Sequence, residues 1–124
     1  MSEQVKKILS PVVQIVDDLE MGKVLILKEP WNFTLPNGEI ITIPVGFRSD
    51  GESIPRFLWR VLSPQIDFIT LGPSIEHDYR YDQKIGTRKE CDLFYRDRLI
   101  ENGYPKVKAY VTYWGVRLGG SSHY

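Results

Sequence analysis

The sequence predicts an α+β fold: a small antiparallel β-sheet built from the N-terminal half, followed by about four α-helices. Three observations carry that expectation. The turn Pro36-Asn37-Gly38 separates two short runs rich in branched and aromatic residues. Thr87-Arg88-Lys89-Glu90 opens a periodic stretch with a capping-box pattern, and Val107, Val111, Trp114 and Leu118 recur at helical spacing. Strand signals stop near residue 48 and helix signals take over, so one domain is expected over residues 1–124, mainly β over 1–48 and mainly α over 49–124.

The strands come first. Pro11-Val12-Val13-Gln14-Ile15-Val16 and Lys23-Val24-Leu25-Ile26-Leu27 are branched-aliphatic runs bounded by acidic, Gly or Pro residues. Trp31-Asn32-Phe33-Thr34-Leu35 alternates apolar and polar side chains, and Asn37-Gly38 tolerates the positive φ a hairpin needs before Glu39-Ile40-Ile41-Thr42-Ile43 returns. One small sheet or meander is the expected sum.

The helices follow a polar loop, Gly46 to Ser53. Ser53 and Pro55 signal the start of a short helix through Leu62, which Ser63-Pro64 ends. A second helix is expected from about Leu71, with Leu71, Ile75 and Tyr79 facing inward. The capping box starts a third that runs to about Glu101, where Asn102-Gly103 provides a left-handed stop. Pro105 restarts the chain into the fourth, whose Val107, Val111, Trp114 and Leu118 stripe is expected to be core, as are Trp59 and Trp114 as aromatics. Trp31, on an alternating strand at the sheet edge, is the candidate for a partner contact.

Sixteen basic residues balance sixteen acidic ones, so no net field draws the chain to nucleic acid or an anionic membrane from a distance. The single cysteine, Cys91, excludes a disulfide framework and reads as core filling. The N-terminal residues show no secretory pattern and no apolar run is long enough to span a bilayer, so synthesis in a cytoplasm is expected.

The chemistry concentrates in His77-Asp78-Tyr79-Arg80-Tyr81 and in Asp92 on the next helix. His77 and Tyr81 are one turn apart and share a helix face, while Asp78 projects about 100° away. Asp92 falls beside Tyr95 and Leu99 on its own helix, where a carboxylate needs a partner: His77, Tyr81 or Arg80. If the two helices pair, Asp92 orients the His77 imidazole for base catalysis. The Gly46–Gly51 loop could meanwhile bring carbonyls beside Asp78 for Ca²⁺. The plain alternative is an ion-pair network in which Asp92 ties Arg80, Arg88 or Arg96 together. Asp50 and His123 are further candidate metal ligands, with His77 forming a mixed nitrogen/oxygen set, and His123 could also fold over His77 as a cap.

Four blocks carry a resemblance to a family: Gly46-Phe47-Arg48-Ser49-Asp50-Gly51-Glu52-Ser53-Ile54-Pro55-Arg56-Phe57-Leu58-Trp59, then His77 to Tyr81, then Arg88-Lys89-Glu90-Cys91-Asp92-Leu93-Phe94, then Tyr113 to Tyr124. In that order they resemble the phage-associated domain of unknown function 1353. The resemblance implies a phage or prophage protein, associated with the virion and belonging to a tail, neck or assembly module, with other phage structural proteins as partners. A shorter stretch, His77-Asp78-x-x-Tyr81 with the later Asp92, resembles the two-helix active site of phospholipases A2. That second likeness implies His77 as base, Asp78 as Ca²⁺ ligand, and Tyr81 and Asp92 as the network behind the histidine. It implies an ester hydrolase acting on host-envelope lipid as a particle enters a cell.

Overall fold

The structure, a computed structural model, describes residues 10–18, 22–49 and 68–119. The expected helix from Ser53 to Leu62, with Trp59, lies outside the described residues, as do Asp50 and His123. What is described is α+β, with strands preceding three helices.

Strands β1 (Val13–Asp18) and β2 (Gly22–Leu27) pair antiparallel, in a register that sets Val13 opposite Leu27 and Val16 opposite Val24. Strands β3 (Trp31–Thr34) and β4 (Ile40–Ile43) form the expected hairpin, Trp31 opposite Ile43. Its loop places Gly38 at φ +90 after a turn closed by Gly38 N–H to the Leu35 carbonyl, the geometry that favours glycine. The single sheet expected is in fact two. The free edge of β2 is taken by β5 (Arg48–Ser49), which pairs Leu25 with Ser49, so the loop reading of these two residues is corrected. Pro30, with no N–H to give, separates β2 from β3, and the backbone of Gly46 and Phe47 bonds Leu27 instead.

Helix α1 (Phe68–Gln83) starts three residues before the expected Leu71 and carries Pro73 inside it. Pro73 leaves the Ile69 carbonyl without its usual i+4 donor. Asn102 Nδ2 supplies one at 3.0 Å, joining the interruption in α1 to the end of the next helix. Helix α2 (Arg88–Glu101) has the boundaries its sequence signals give. Thr87 Oγ1 accepts from Glu90 N–H at 3.1 Å, Glu90 Oε1 accepts from Thr87 N–H at 2.8 Å, and Gly103 turns at φ +95. Helix α3 (Lys106–Gly119) returns along α2, and Arg88 Nη2 donates to the Val116 and Arg117 carbonyls in its last turn.

Two apolar clusters hold these layers. Leu27, Phe33, Leu35, Ile43, Leu71 and Ile75 join the strands to α1, with Tyr79 packed at the edge as its spacing predicts. Tyr95, Leu99, Tyr104, Ala109 and Val116 join α2 to α3. Here the sequence reading of α3 is reversed. Val107, Val111, Trp114 and Leu118 are exposed, and Ala109, Thr112, Tyr113, Gly115 and Val116 turn inward. Both stripes have helical period; the small residues Ala109 and Gly115 let α3 approach α2 closely, which the bulkier stripe would prevent. Trp114 is therefore not a core aromatic.

Candidate functional site

The α1 helix distributes its polar side chains among three neighbours. His77 and Tyr81 face α2, Asp78 faces β5, and Glu76 faces β3 and the later part of α2. Glu76, His77, Arg80 and Asp92 are all buried, so each charge or ring nitrogen has to be accounted for by partners.

Asp92 is the centre of the first group. Its Oδ1 lies 2.7 Å from His77 Nε2 and accepts from the Tyr81 hydroxyl at 2.5 Å, while Oδ2 accepts from Arg117 Nη1 at 3.0 Å. Burial works to raise the Asp92 pKa. Hydrogen bonds from His77 and Tyr81, the imidazole charge and Arg117 together outweigh it and hold the carboxyl below its ordinary value. Tyr81 moves the other way, because burial and the adjacent carboxylate keep its phenol protonated and therefore a donor. An ionised carboxylate only accepts, so Nε2 carries the proton in the neutral imidazole and the lone pair sits on Nδ1. Among the described residues Nδ1 has no hydrogen-bond partner. The ring is held between Tyr81 and Tyr95, with centroids 4.3 and 4.7 Å away, and the Tyr95 hydroxyl lies 3.2 Å from Ser74 Oγ. Such an assembly can orient one imidazole nitrogen and support the charge it gains on taking a proton.

A second buried carboxylate, Glu76, lies one residue before His77. Arg98 grips Glu76 bidentately, Nε to Oε1 at 2.9 Å and Nη2 to Oε2 at 3.0 Å, and Trp31 Nε1 donates to Oε2 at 2.9 Å. Burial still raises the Glu76 pKa against the lowering effects of Arg98 and Trp31. Trp31 is thus turned inward onto α1, its ring 3.2 Å from where a Cβ on Gly72 would stand. Trp31 is half-buried, and its indole N–H is used within the fold.

The predicted trio His77, Tyr81 and Asp92 is brought together. Asp78 is not part of it; its Oδ2 accepts from the Ser49 hydroxyl on β5, so that strand is tied to α1. Asp50 and His123 lie outside the described residues. Among the described residues no three His, Cys, Asp or Glu side chains converge to hold a metal ion. Cys91 is buried with Sγ 3.2 Å from the Ile85 carbonyl, and burial pushes its thiol up to about 11, far from a thiolate nucleophile.

The arginine at Asp92 is Arg117, not Arg80, Arg88 or Arg96. Arg80 is drawn to the Ile85 carbonyl and the Phe94 ring, and Arg96 to Asp97 and the rings of Tyr110 and Tyr113. Arg88 gives its Nη2 to the end of α3, and its buried Nε has no hydrogen-bond partner among the described residues. Arg117, Tyr95, Ser49 and the Glu76–Arg98 pair were missed by the sequence reading. Tyr95 had a signal, one helical turn from Asp92 along α2.

The chain is 32% identical over 94 residues to an uncharacterized protein, y4jT, of Sinorhizobium fredii (strain NBRC 101917 / NGR234). That alignment covers 76% of this chain but 28% of the relative, so the chain spans less than a third of that protein's length. No solved structure matches the chain. Residues 25–116, which include β3 to β5, the His77–Asp92 pair and nearly all of α3, match the family described as "Protein of unknown function (DUF1353)", and the chain belongs to that family.

Proposed function

We propose that this chain is a hydrolase carried by a phage or prophage particle, in which His77 is the general base for cleavage of an ester. The observation that carries the reading is the 2.7 Å contact between His77 Nε2 and an Asp92 carboxylate kept ionised by Tyr81 and Arg117. Water at Nδ1 gives its proton to that nitrogen as its oxygen attacks the ester carbonyl. The resulting imidazolium is stabilised by Asp92, and Nδ1–H returns the proton to the alkoxide as the carbon–oxygen bond breaks. Envelope phospholipid is the substrate class that the likeness to phospholipases A2 favours, and the particle setting rests on the phage association of the family.

A second reading keeps the particle and drops the chemistry: a tail, neck or assembly component whose His77–Asp92 group is structural. The burial of His77, 2% exposed between two tyrosine rings, favours it. Hydrolysis of phospholipid and of a soluble short-chain ester, with and without Ca²⁺, separates the two. Wild type is expected to turn over substrate about 10²–10⁴ times faster than His77→Ala, the usual contribution of a positioned base. Equal rates at background level for both proteins would leave the structural reading standing.

A further inference from the structure

Helix α3 has an exposed face that no other described element covers. Val107, Val111, Trp114 and Leu118 line three turns of it and are 77%, 40%, 59% and 83% exposed, with Tyr110 beside them at 42%. Single exposed apolar side chains are ordinary, but a contiguous stripe bounded by polar residues marks a surface that meets something. The charges on this helix all have one sign. Lys106, Lys108 and Arg117 are its ionised side chains, and it carries no acidic residue although the whole chain is balanced. At 100° per residue, Lys108 flanks the stripe on one side and Lys106 on the other, while Arg117 is paired with Asp92. Both lysines are exposed.

We propose that α3 docks flat on an anionic lipid bilayer. The Val107–Val111–Trp114–Leu118 stripe lies at the boundary of headgroups and acyl chains, and Lys106 and Lys108 meet lipid phosphates. Charge complementarity selects this occupant. A second copy packed on this face would bring no acidic side chain from its own helix to meet the lysines, and a nucleic acid would satisfy the lysines while leaving Leu118 and Val107 in water. An apolar stripe between basic edges, with indole and phenol groups whose polar tips suit the headgroup level, is the pattern of a helix that lies in the interface plane. No helix among the described residues is long and apolar enough to cross a membrane, so the contact is with the surface. Docking requires no step of the His77 chemistry, and it would hold whether or not the site turns over.

The test is co-sedimentation of the full chain with vesicles of phosphatidylcholine alone and of phosphatidylcholine mixed with phosphatidylglycerol, at low and high salt. Binding is expected to the mixed vesicles, to weaken with salt, and to fall about tenfold for Leu118→Gln, as for loss of one buried aliphatic side chain. Lys106→Gln and Lys108→Gln are each expected to weaken it about fivefold. Trp114 fluorescence should shift to the blue and be quenched by brominated acyl chains, a change lost in Trp114→Phe. All these positions are exposed, and circular dichroism checks that each variant keeps the fold. His77→Ala should bind as wild type does, so a failure of the hydrolase reading is distinguishable from a failure of docking. Absence of binding to the mixed vesicles, equal binding to both vesicle types, or binding indifferent to Leu118→Gln would overturn the proposal. So would concentration-dependent self-association, or binding to an acidic peptide in place of vesicles, that Leu118→Gln abolishes.

Discussion

Two carboxylates are buried against the same pair of helices, and they have been solved in opposite ways. Glu76 is held by groups that do not titrate in the neutral range: the Arg98 guanidinium on both oxygens and the Trp31 indole. Asp92 has an arginine too, but its other oxygen is shared by a phenol and an imidazole. The first arrangement ties β3 to α1 and α2, and the groups around its carboxylate are donors that keep their own protons. The second has one, because His77 keeps a second nitrogen in reserve. A buried ion pair on its own is thus no sign of chemistry; the identity of the carboxylate's partner is what separates strut from candidate site.

The largest effects are expected from removing either carboxylate. Asp92→Ala leaves Arg117 and His77 facing an empty anion position, and Glu76→Ala does the same to Arg98. Each is expected to cost about 3–5 kcal/mol in urea denaturation, the range for breaking a buried pair from one side. Arg98 has Glu101 and Asn102 to fall back on, 3.1 and 3.3 Å away, which places Glu76→Ala at the lower end. The two differ in ester hydrolysis per folded molecule: Asp92→Ala should fall to background and Glu76→Ala should stay at the wild-type rate. Background hydrolysis by folded Glu76→Ala, or by Glu76→Gln if the alanine variant does not fold, would erase the distinction between strut and site.

Acid titration of stability comes next and has opposite signs at the two residues. The Asp92 pKa is depressed in the folded protein, so its contribution is present above the unfolded carboxylate range, about pH 4, and is lost as pH falls through the lower folded value. The Glu76 pKa is raised, so the folded state takes up a proton first. Its contribution is full below the unfolded value and is lost as pH rises through the folded one. Stability is expected to climb as pH falls through the raised folded value of Glu76 toward about 4 and to drop below it. Glu76→Gln should flatten the climb and Asp92→Asn the drop. An unchanged acid limb in Asp92→Asn would show that His77, Tyr81 and Arg117 do not hold that carboxyl down.

How much of this could be read from the sequence follows from the range of each interaction. The ends of α2 were legible because Thr87, Glu90 and Gly103 act within a turn of the backbone they cap. His77, Tyr81 and Asp92 were legible because one helical turn and one helix hairpin bring them together. Arg117 was not, since its place beside Asp92 depends on which side of α3 turns inward, and two stripes of equal period compete for that side. The bulkier stripe is the natural expectation for a core, and the small residues Ala109 and Gly115 decide otherwise. The pairing of β5 with β2 and the bond from Trp31 to Glu76 were hidden for the same reason: each joins segments whose approach is set by the packing of the whole domain.

The smallest effects, and the finest cut between the two carboxylates, come from removing one neutral donor at a time. Tyr81→Phe deletes a single hydroxyl from Asp92 while His77 and Arg117 stay in place, and Trp31→Phe deletes a single indole N–H from Glu76 while Arg98 stays. Each hydrogen bond to a charged group is worth about 1.5–3 kcal/mol, and with the remaining donors intact the lower figure is expected for both in chemical denaturation. Trp31→Phe also loses indole contact with Gly72, so it should cost slightly more. The two part in pH dependence. Without the Tyr81 hydroxyl the Asp92 carboxyl moves up, so the acid limb of stability, and of any ester hydrolysis, should shift to higher pH. Trp31→Phe should leave the limb of hydrolysis where it is, because no hydrogen bond among the described residues joins the Glu76 carboxylate to the imidazole. A shift of equal size in both variants would mean that the two carboxylates titrate as one group through α1, and His77 would then answer to both.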